Sequence, residues 1–275
     1  MTTQQMKAMT PTDNAYPGRL IRTGDPDKAV VARIQKRLND MGCGPIPEDG
    51  IFDGEKTFAA VKLFQARFGD VTGAPLVVDG KVGALTWGAL FGPETVPSNA
   101  HAPSKLTEAV IKFAKSQIGV REVPIGKNRG PEVDIYLKSV GIDAKKGSYA
   151  WCVAFTHYCY QKAAEELGFK SNPHVRTAGV IDHWNKAAKL PVATRITKTA
   201  AIDSPELVKP GSLFIISLGK GTGHSGIVVE NANGRLVTIE GNTNDNGSRE
   251  GIGVFLRKSR KIADINRGFI DYSTV

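Results

Sequence analysis

Residues 93–104, PETVPSNAHAPS, carry three prolines among small polar residues. Proline fixes φ and has no backbone N–H, so neither a helix interior nor a central strand can run through this stretch. Its composition is that of an extended, semi-rigid linker. The charge balance changes at the same place. Residues 1–92 hold 11 Lys/Arg against 10 Asp/Glu, and residues 93–275 hold 25 against 17, so the net charge of +9 resides almost wholly in the C-terminal part. A chain of 275 residues is long enough for two domains. The division predicted here is a helical part over 1–92 (core 28–92), a linker over 93–104 and a larger domain over 105–275.

A basic excess of this kind favours a polyanionic partner such as nucleic acid, an anionic membrane or the bacterial envelope. No Lys/Arg run interleaved with aromatics appears, which argues against nucleic acid. No apolar run reaches the length of a membrane span, so no membrane insertion is expected. The opening MTTQQMKAMTPTDNAYPGRL has no apolar h-region, and an extracellular role would then need an exit route other than a signal peptide. Cys43, Cys152 and Cys159 form no disulfide framework, and no CxxC pair suggests zinc. No cofactor and no metal is expected, and the chain is expected to be a monomer.

Before the linker, DPDKAVVARIQKRLNDMG spaces Val31, Ile34, Leu38 and Met41 for one helix face, with Asp25 or Asp27 as its cap. GEKTFAAVKLFQARFG places Phe58, Val61, Phe64, Gln65 and Phe68 on adjoining turns and stops at Gly69. GALTWGALFG is a third, shorter helix with Leu85, Trp87 and Leu90. DGIFDGEKT (49–57) is echoed by DGKVGALT (79–86), a weak internal repeat in which Asp-Gly supplies a tight turn and Thr or Asp a helix cap. The run IQKRL, DGIF, TxxAVxxFQ and DGxVGxxTWxxL resembles the peptidoglycan-binding type 1 domain over about residues 28–92. That resemblance implies a small three-helix wall-binding module with bacterial peptidoglycan as partner. DGIFDGEKT is one residue longer than its echo, and no specific contact residue carries over.

After the linker, Ser104 can cap KLTEAVIKFAKSQIG, with Leu106, Val110, Phe113 and Ile118 turned inward. PIGKNRGPEVDIYL reads as a glycine-rich loop, GSYAWCVAFTHYCYQKAAEELG as a long helix, and TAGVIDHWNKAAK as a short one. From Gly211 the period changes. SLFIIS, HSGIVVE, RLVTIEG, GIGVFLRK and RGFIDYS are five short strands joined by Gly/Asn turns. Helices followed by an antiparallel meander define an α+β domain.

Cys152 stands at the start of the long helix. A free cysteine there can be a small hydrophobe in the core. It can also be a nucleophile, because a helix N-terminus favours thiolate. The nucleophile reading requires a base. His101 sits in the linker, His157 faces away from Cys152 on the same helix, and His174 and His183 suit surface or capping roles. His224 differs, because it follows GKGTG and opens the apolar strand GIVVE. Glu240 and then Asn242 lie on the next strand, across the loop NANG (231–234). If residues 224 and 240 pair, their side chains share a face, but this parity needs an odd-numbered loop or a bulge.

SYAWCVAF, GSLFIISLGKGTGHSGIVVE and VTIEGNTN are similar to the CHAP family of cysteine, histidine-dependent amidohydrolases/peptidases over roughly residues 105–272. The resemblance implies a papain-like α+β fold in which Cys152 is the nucleophile, His224 the base, and Glu240 or Asn242 the group that orients the imidazole. The oxyanion would then meet the Cys152 backbone N–H and the Tyr149 hydroxyl. The activity implied is cleavage of an amide in the stem peptide or cross-bridge of peptidoglycan. Two deliveries fit, a phage lysin released through a holin (the favoured one) or an injected toxin. The rival of another class is an inactive wall-binding protein. GTGHSG (221–226) fits GxGxxG but opens a strand, which excludes a dinucleotide site. NTNDNGS has too few carboxylates for a calcium loop. GKNRG (126–130) reads as a solvated loop that could line the cleft.

Overall fold

The computed structural model describes residues 14–98, 101–243 and 251–275. The first 13 residues of the N-terminal stretch and most of NTNDNGS lie outside the described residues. The chain divides into two compact units, Met1–Pro97 and Ser98–Val275.

The first unit holds α1 (Lys28–Asp40), α2 (Lys56–Arg67) and α3 (Ala84–Phe91). Asp27 starts α1 by accepting the Val30 N–H at 3.1 Å, and Asp53 starts α2 by accepting the Thr57 N–H at 2.9 Å. Val31, Ile34 and Leu38 of α1 pack with Val61 and Phe64 of α2 and Trp87 and Leu90 of α3. The weak sequence echo has a physical basis in two buried glutamines. Gln35 Nε2 donates to Asp49 Oδ1, Ile51 O and Thr57 Oγ1, while its Oε1 accepts the Gly50 N–H. Gln65 repeats the set with Asp79, Lys81 O, Thr86 and Gly80. Gly80 turns at φ 71°, and a Cβ there would lie 2.2 Å from the Phe58 ring. Gln65→Leu should therefore strand the Asp79 and Gly80 N–H groups and cost about 2 kcal/mol. A urea midpoint for the first unit that did not fall would contradict this.

Cys43 is buried in this core, and burial pushes its thiol up. The first residues of the proline-rich stretch also pack here: Pro93–Thr95 form a 3-10 turn, Thr95 O accepts the Tyr16 N–H at 2.8 Å, and Val96 is buried.

In the second unit the helices are α4 (Lys105–Ser116), α5 (Pro131–Ser139), α6 (Cys152–Glu166), α7 (Val180–Ala187) and α8 (Lys198–Asp203). The strands are β1 (Thr194–Thr197), β2 (Leu213–Gly219), β3 (Thr222–Ala232), β4 (Arg235–Thr243), β5 (Gly253–Lys261) and β6 (Gly268–Asp271). They form one antiparallel sheet in the order β1-β6-β2-β3-β4-β5, which gives the α+β class. Five strands were predicted. β1 is a sixth, and β6 lies between β1 and β2 instead of ending the meander. Leu213 and Ile215 face the core made with α4 to α7, while Phe214 joins Val228, Leu236 and Phe269 in a second core, as period-2 alternation requires.

Ser104 and Thr107 form a reciprocal cap on α4. That helix ends at Ser116, so Ile118 is 43% exposed and not inward. The second half of the expected glycine-rich loop is helix α5, with Pro131 in its first turn and Asp134 accepting the Gly130 N–H.

His174 and His183 are both buried, contrary to the expected surface or capping roles. Residues 172–176 lie against α6, and α7 packs on the sheet, with the His174 and His183 ring centres 4.2 Å apart and those of His157 and His174 5.3 Å apart. His183 Nε2 meets the Tyr272 hydroxyl at 2.9 Å, and His157 Nδ1 meets Ser139 Oγ at 3.0 Å. Burial lowers His157 to about 4 and His183 to about 3. These rings are neutral when folded and bind protons more readily when unfolded. Their contribution to stability is full above about 6.5 and is lost as the pH falls toward 3–4. The urea midpoint should fall between pH 7 and pH 4.5, and a flat profile would argue against the cluster.

Candidate active site

Helix α6 begins at Cys152 without a side-chain cap from Trp151, its N-cap residue. The capping acceptor comes from the end of β4, where Asn242 Oδ1 takes the Trp151 N–H at 3.2 Å. Cys152 follows as the first helical residue, 2% exposed, with a backbone N–H that has no intrahelical partner. The thiol therefore sits at the positive end of the helix dipole.

His224 on β3 interacts electrostatically with Cys152. Its Nε2 lies 2.8 Å from Glu240 Oε2, which leaves the other ring nitrogen for the thiol. The structure thus brings Cys152, His224 and Glu240 into one line. Burial disfavours the charged imidazole, but the interactions with Cys152 and Glu240 outweigh it and raise His224 from 6.5 to about 9. The His224 side chain is 18% exposed while that of Glu240 is wholly enclosed. A substrate can reach the first and not the second.

The parity that this line requires comes from a bulge. Ala232 pairs with Arg235 across a two-residue turn in which Asn233 (φ 57°) and Gly234 (φ 94°) are both left-handed. The register shifts between Val228 and Glu230 and then runs through Ile227↔Ile239. Continued along the strands, this register sets Glu240 opposite Gly226, with His224 as its diagonal neighbour on the same face. Direct pairing of 224 with 240 is thus replaced by a diagonal contact. Gly226 is what makes room for it, because a Cβ there would lie 2.9 Å from Glu240 Cγ and 2.8 Å from the Phe214 ring.

Glu240 is held from several sides. Arg260 on β5 donates through Nε to Oε1 (2.6 Å) and through Nη2 to Oε2 (2.7 Å), and Thr238 donates to Oε1 at 2.7 Å. Burial alone would push this carboxyl up, yet the bonds from His224 and Arg260 hold it well below the usual carboxylate range. The Arg260 guanidinium also lies 4.8 Å from the Phe214 ring centre, and that ring is 5.6 Å from His224. The sequence reading missed Arg260. RKSRK (257–261) looks like a solvated charge run, and a second register shift, between Leu236 and Thr238, puts Arg260 on the Glu240 face.

Asn242 does not bond to His224. Its side chain is committed to the Trp151 N–H and, through Nδ2, to Asn128 Oδ1 at 3.0 Å. Of the two candidate orienters, only Glu240 touches the imidazole. Asn128 belongs to GKNRG, which is therefore joined to the start of α6 and is not a free solvated loop. Tyr149, three residues before Cys152, is half-buried against the helix-side core, and its hydroxyl has no hydrogen-bond partner among the described residues. Among the described residues no group of three or more His, Cys, Asp or Glu is placed to hold a metal ion.

A thiol at a helix start beside an imidazole and a carboxylate on an antiparallel sheet is the layout of a papain-like fold. Residues 27–90 match the family described as putative peptidoglycan binding domain, and residues 144–242 match the CHAP domain. The chain joins an N-terminal peptidoglycan-binding domain to a C-terminal CHAP domain, a combination that supports a peptidoglycan hydrolase. Neither the curated proteins nor the solved structures searched yielded a match. No helix among the described residues is long and apolar enough to cross a membrane.

Proposed function

We propose that the protein is a cysteine-dependent peptidoglycan amidase or endopeptidase, delivered to the wall as an endolysin. The Cys152 thiolate attacks the carbonyl carbon of an amide in the stem peptide or cross-bridge, and the oxyanion is met by the Cys152 N–H and the Tyr149 hydroxyl. The His224 imidazolium gives its proton to the leaving amine, and the C–N bond breaks to leave a thioester on Cys152. Neutral His224 then takes a proton from water, which attacks the thioester and releases the carboxylic acid and the thiolate. Glu240 keeps the ring turned with one nitrogen toward the thiol.

The observation that carries this reading is the placement of Cys152 at a helix start with His224 bonded through Nε2 to Glu240 Oε2 at 2.8 Å and raised to about 9 by Cys152 and Glu240. Loss of turbidity of purified walls with the wild type but not with Cys152→Ala tests it. Mass spectrometry of the released muropeptides then assigns the bond, N-acetylmuramoyl-L-alanine or peptide–peptide. Lysis by Cys152→Ala at the wild-type rate would overturn the cysteine mechanism, and no lysis by the wild type would leave wall binding as the whole function.

The division of labour makes a further expectation. Met1–Pro97 alone should sediment with purified peptidoglycan and not lyse it, and Ser98–Val275 alone should lyse it more slowly at low enzyme concentration. Tethering raises the local concentration of catalyst at the wall. Equal binding by the two fragments would assign targeting to the basic C-terminal unit.

A further inference from the structure

Trp151, the residue before the candidate nucleophile, is gripped twice from outside its own helix. Its backbone N–H goes to Asn242 at the end of β4. Its indole Nε1 donates to Glu122 Oε1 at 2.9 Å. Glu122 Oε2 accepts the Asn128 N–H at 3.0 Å, and Asn128 Oδ1 accepts from Asn242 Nδ2, which closes a ring Trp151–Glu122–Asn128–Asn242. Asn128 Nδ2 also donates to Ser148 Oγ at 2.9 Å, tying in the strand of chain that leads to Cys152.

Two features set this ring apart from ordinary packing. Glu122 is 1% exposed, and no Lys or Arg pairs with it among the described residues. A buried carboxylate held only by neutral N–H donors is poor value for stability against an apolar residue of the same size. Asn128 and Asn242 both adopt left-handed backbone, at φ 51° and 55°. Strain of this kind persists where the surroundings over-determine it, and it clusters at functional sites. The segment carrying Glu122 is itself anchored, with the Glu122 N–H on Ile252 O at 2.9 Å and the Val123 N–H on Arg129 O at 2.8 Å.

We infer that Glu122 and Asn128 are positioning residues, which lock Trp151 so that the Cys152 thiol and N–H face the reacting carbonyl. The inference rests on the reading of Cys152 as nucleophile. The rotation of Trp151 sets the direction of both Cys152 groups, and grips on its backbone and its ring from two different segments leave that rotation no freedom. A misplacement of about 1 Å at such a point can cost roughly 100-fold in rate.

The test uses the full chain and four variants. Glu122→Gln turns one acceptor into a donor facing an N–H. Asn128→Gly keeps the left-handed backbone and removes the side chain, whereas Asn128→Asp keeps the oxygen that accepts from Asn242. Dye release from stained sacculi should show kcat lower by about tenfold in Glu122→Gln and Asn128→Gly with KM within about twofold, and Asn128→Asp should restore most of the rate. Alkylation of Cys152 by iodoacetamide should slow in the same two variants. Unchanged kcat in both, a rise in KM alone, alkylation at or above the wild-type rate, or Asn128→Asp failing as badly as Asn128→Gly would each overturn the inference. If Glu122→Gln does not fold, the Asn128 pair decides. The fourth variant, Cys152→Ala, keeps the two readings apart: its lysis at the wild-type rate would remove the nucleophile itself, whereas the alkylation arm needs no wall.

Discussion

Cys152→Ala and His224→Ala are each expected to abolish wall lysis, with losses of at least about 10⁴-fold, because each removes a chemical step that no neighbour can supply. The fold should survive both. Cys152→Ala trims one sulfur from a helix start, and His224 lies at the mouth of β3, where its ring is partly exposed. The double variant should be about as inactive as either single one, since the two groups act as a unit. Alkylation distinguishes the thiols. Cys159 is enclosed in the helix-side core and Cys43 in the first unit, and burial pushes both thiols up. Iodoacetamide should therefore modify Cys152 first, with activity lost in step, and His224→Ala should slow that modification. Peptide mapping that found Cys43 or Cys159 modified first with lysis intact would refute the ion pair.

The second large effect is on the pH profile. The proposed step needs the imidazolium, so lysis should fall as the pH rises through about 9, the value to which Cys152 and Glu240 raise His224. The same group contributes stability that is full below about 6.5 and is lost as the pH rises through about 9. Glu240→Gln replaces a carboxylate that accepts from His224, Arg260 and Thr238 with an amide that must turn a donor toward one of them. Its alkaline limb should move to lower pH and its rate should drop by about 10- to 100-fold, less than for His224→Ala, because the amide oxygen can still hold the ring. An alkaline limb unmoved by Glu240→Gln would show that Glu240 does not set the His224 charge.

Much of this site was legible before any coordinates. Local rules suffice to see that Asp25 or Asp27 starts a helix, that Ser104 starts another, and that the period turns from helical to alternating near Gly211. Chemistry supplied the candidates, because a cysteine at a helix start needs a base and His224 is the histidine that opens an apolar strand. The failures have a common cause. His174 and His183 look solvated because they stand in or beside stretches rich in polar residues, yet the partners that bury them, Thr156, Tyr160 and Tyr272, come from other parts of the chain. Asn242 looks like an orienter of His224 by strand spacing, and only its left-handed backbone turns it to Trp151. Arg260 reaches Glu240 because β5 shifts register, which no spacing in RKSRK announces.

The amino-acid sequence by itself pointed to the two-part organisation and the α+β class, and it offered Cys152 and His224 as candidates while leaving Glu240 and Asn242 as alternatives, since each of these follows from composition, period or residue chemistry within a short window. Tertiary structure alone decided which of them meet. The bulge after Val228 and the bare Gly226 let His224 and Glu240 share one face, and Arg260 arrives from a third strand. Those contacts span separations of 16 to 20 residues, and the grip of Asn242 on Trp151 spans 91. Over such distances a single extra residue in a strand reverses which side every later side chain faces, so the site depends on register, which only the assembled sheet defines.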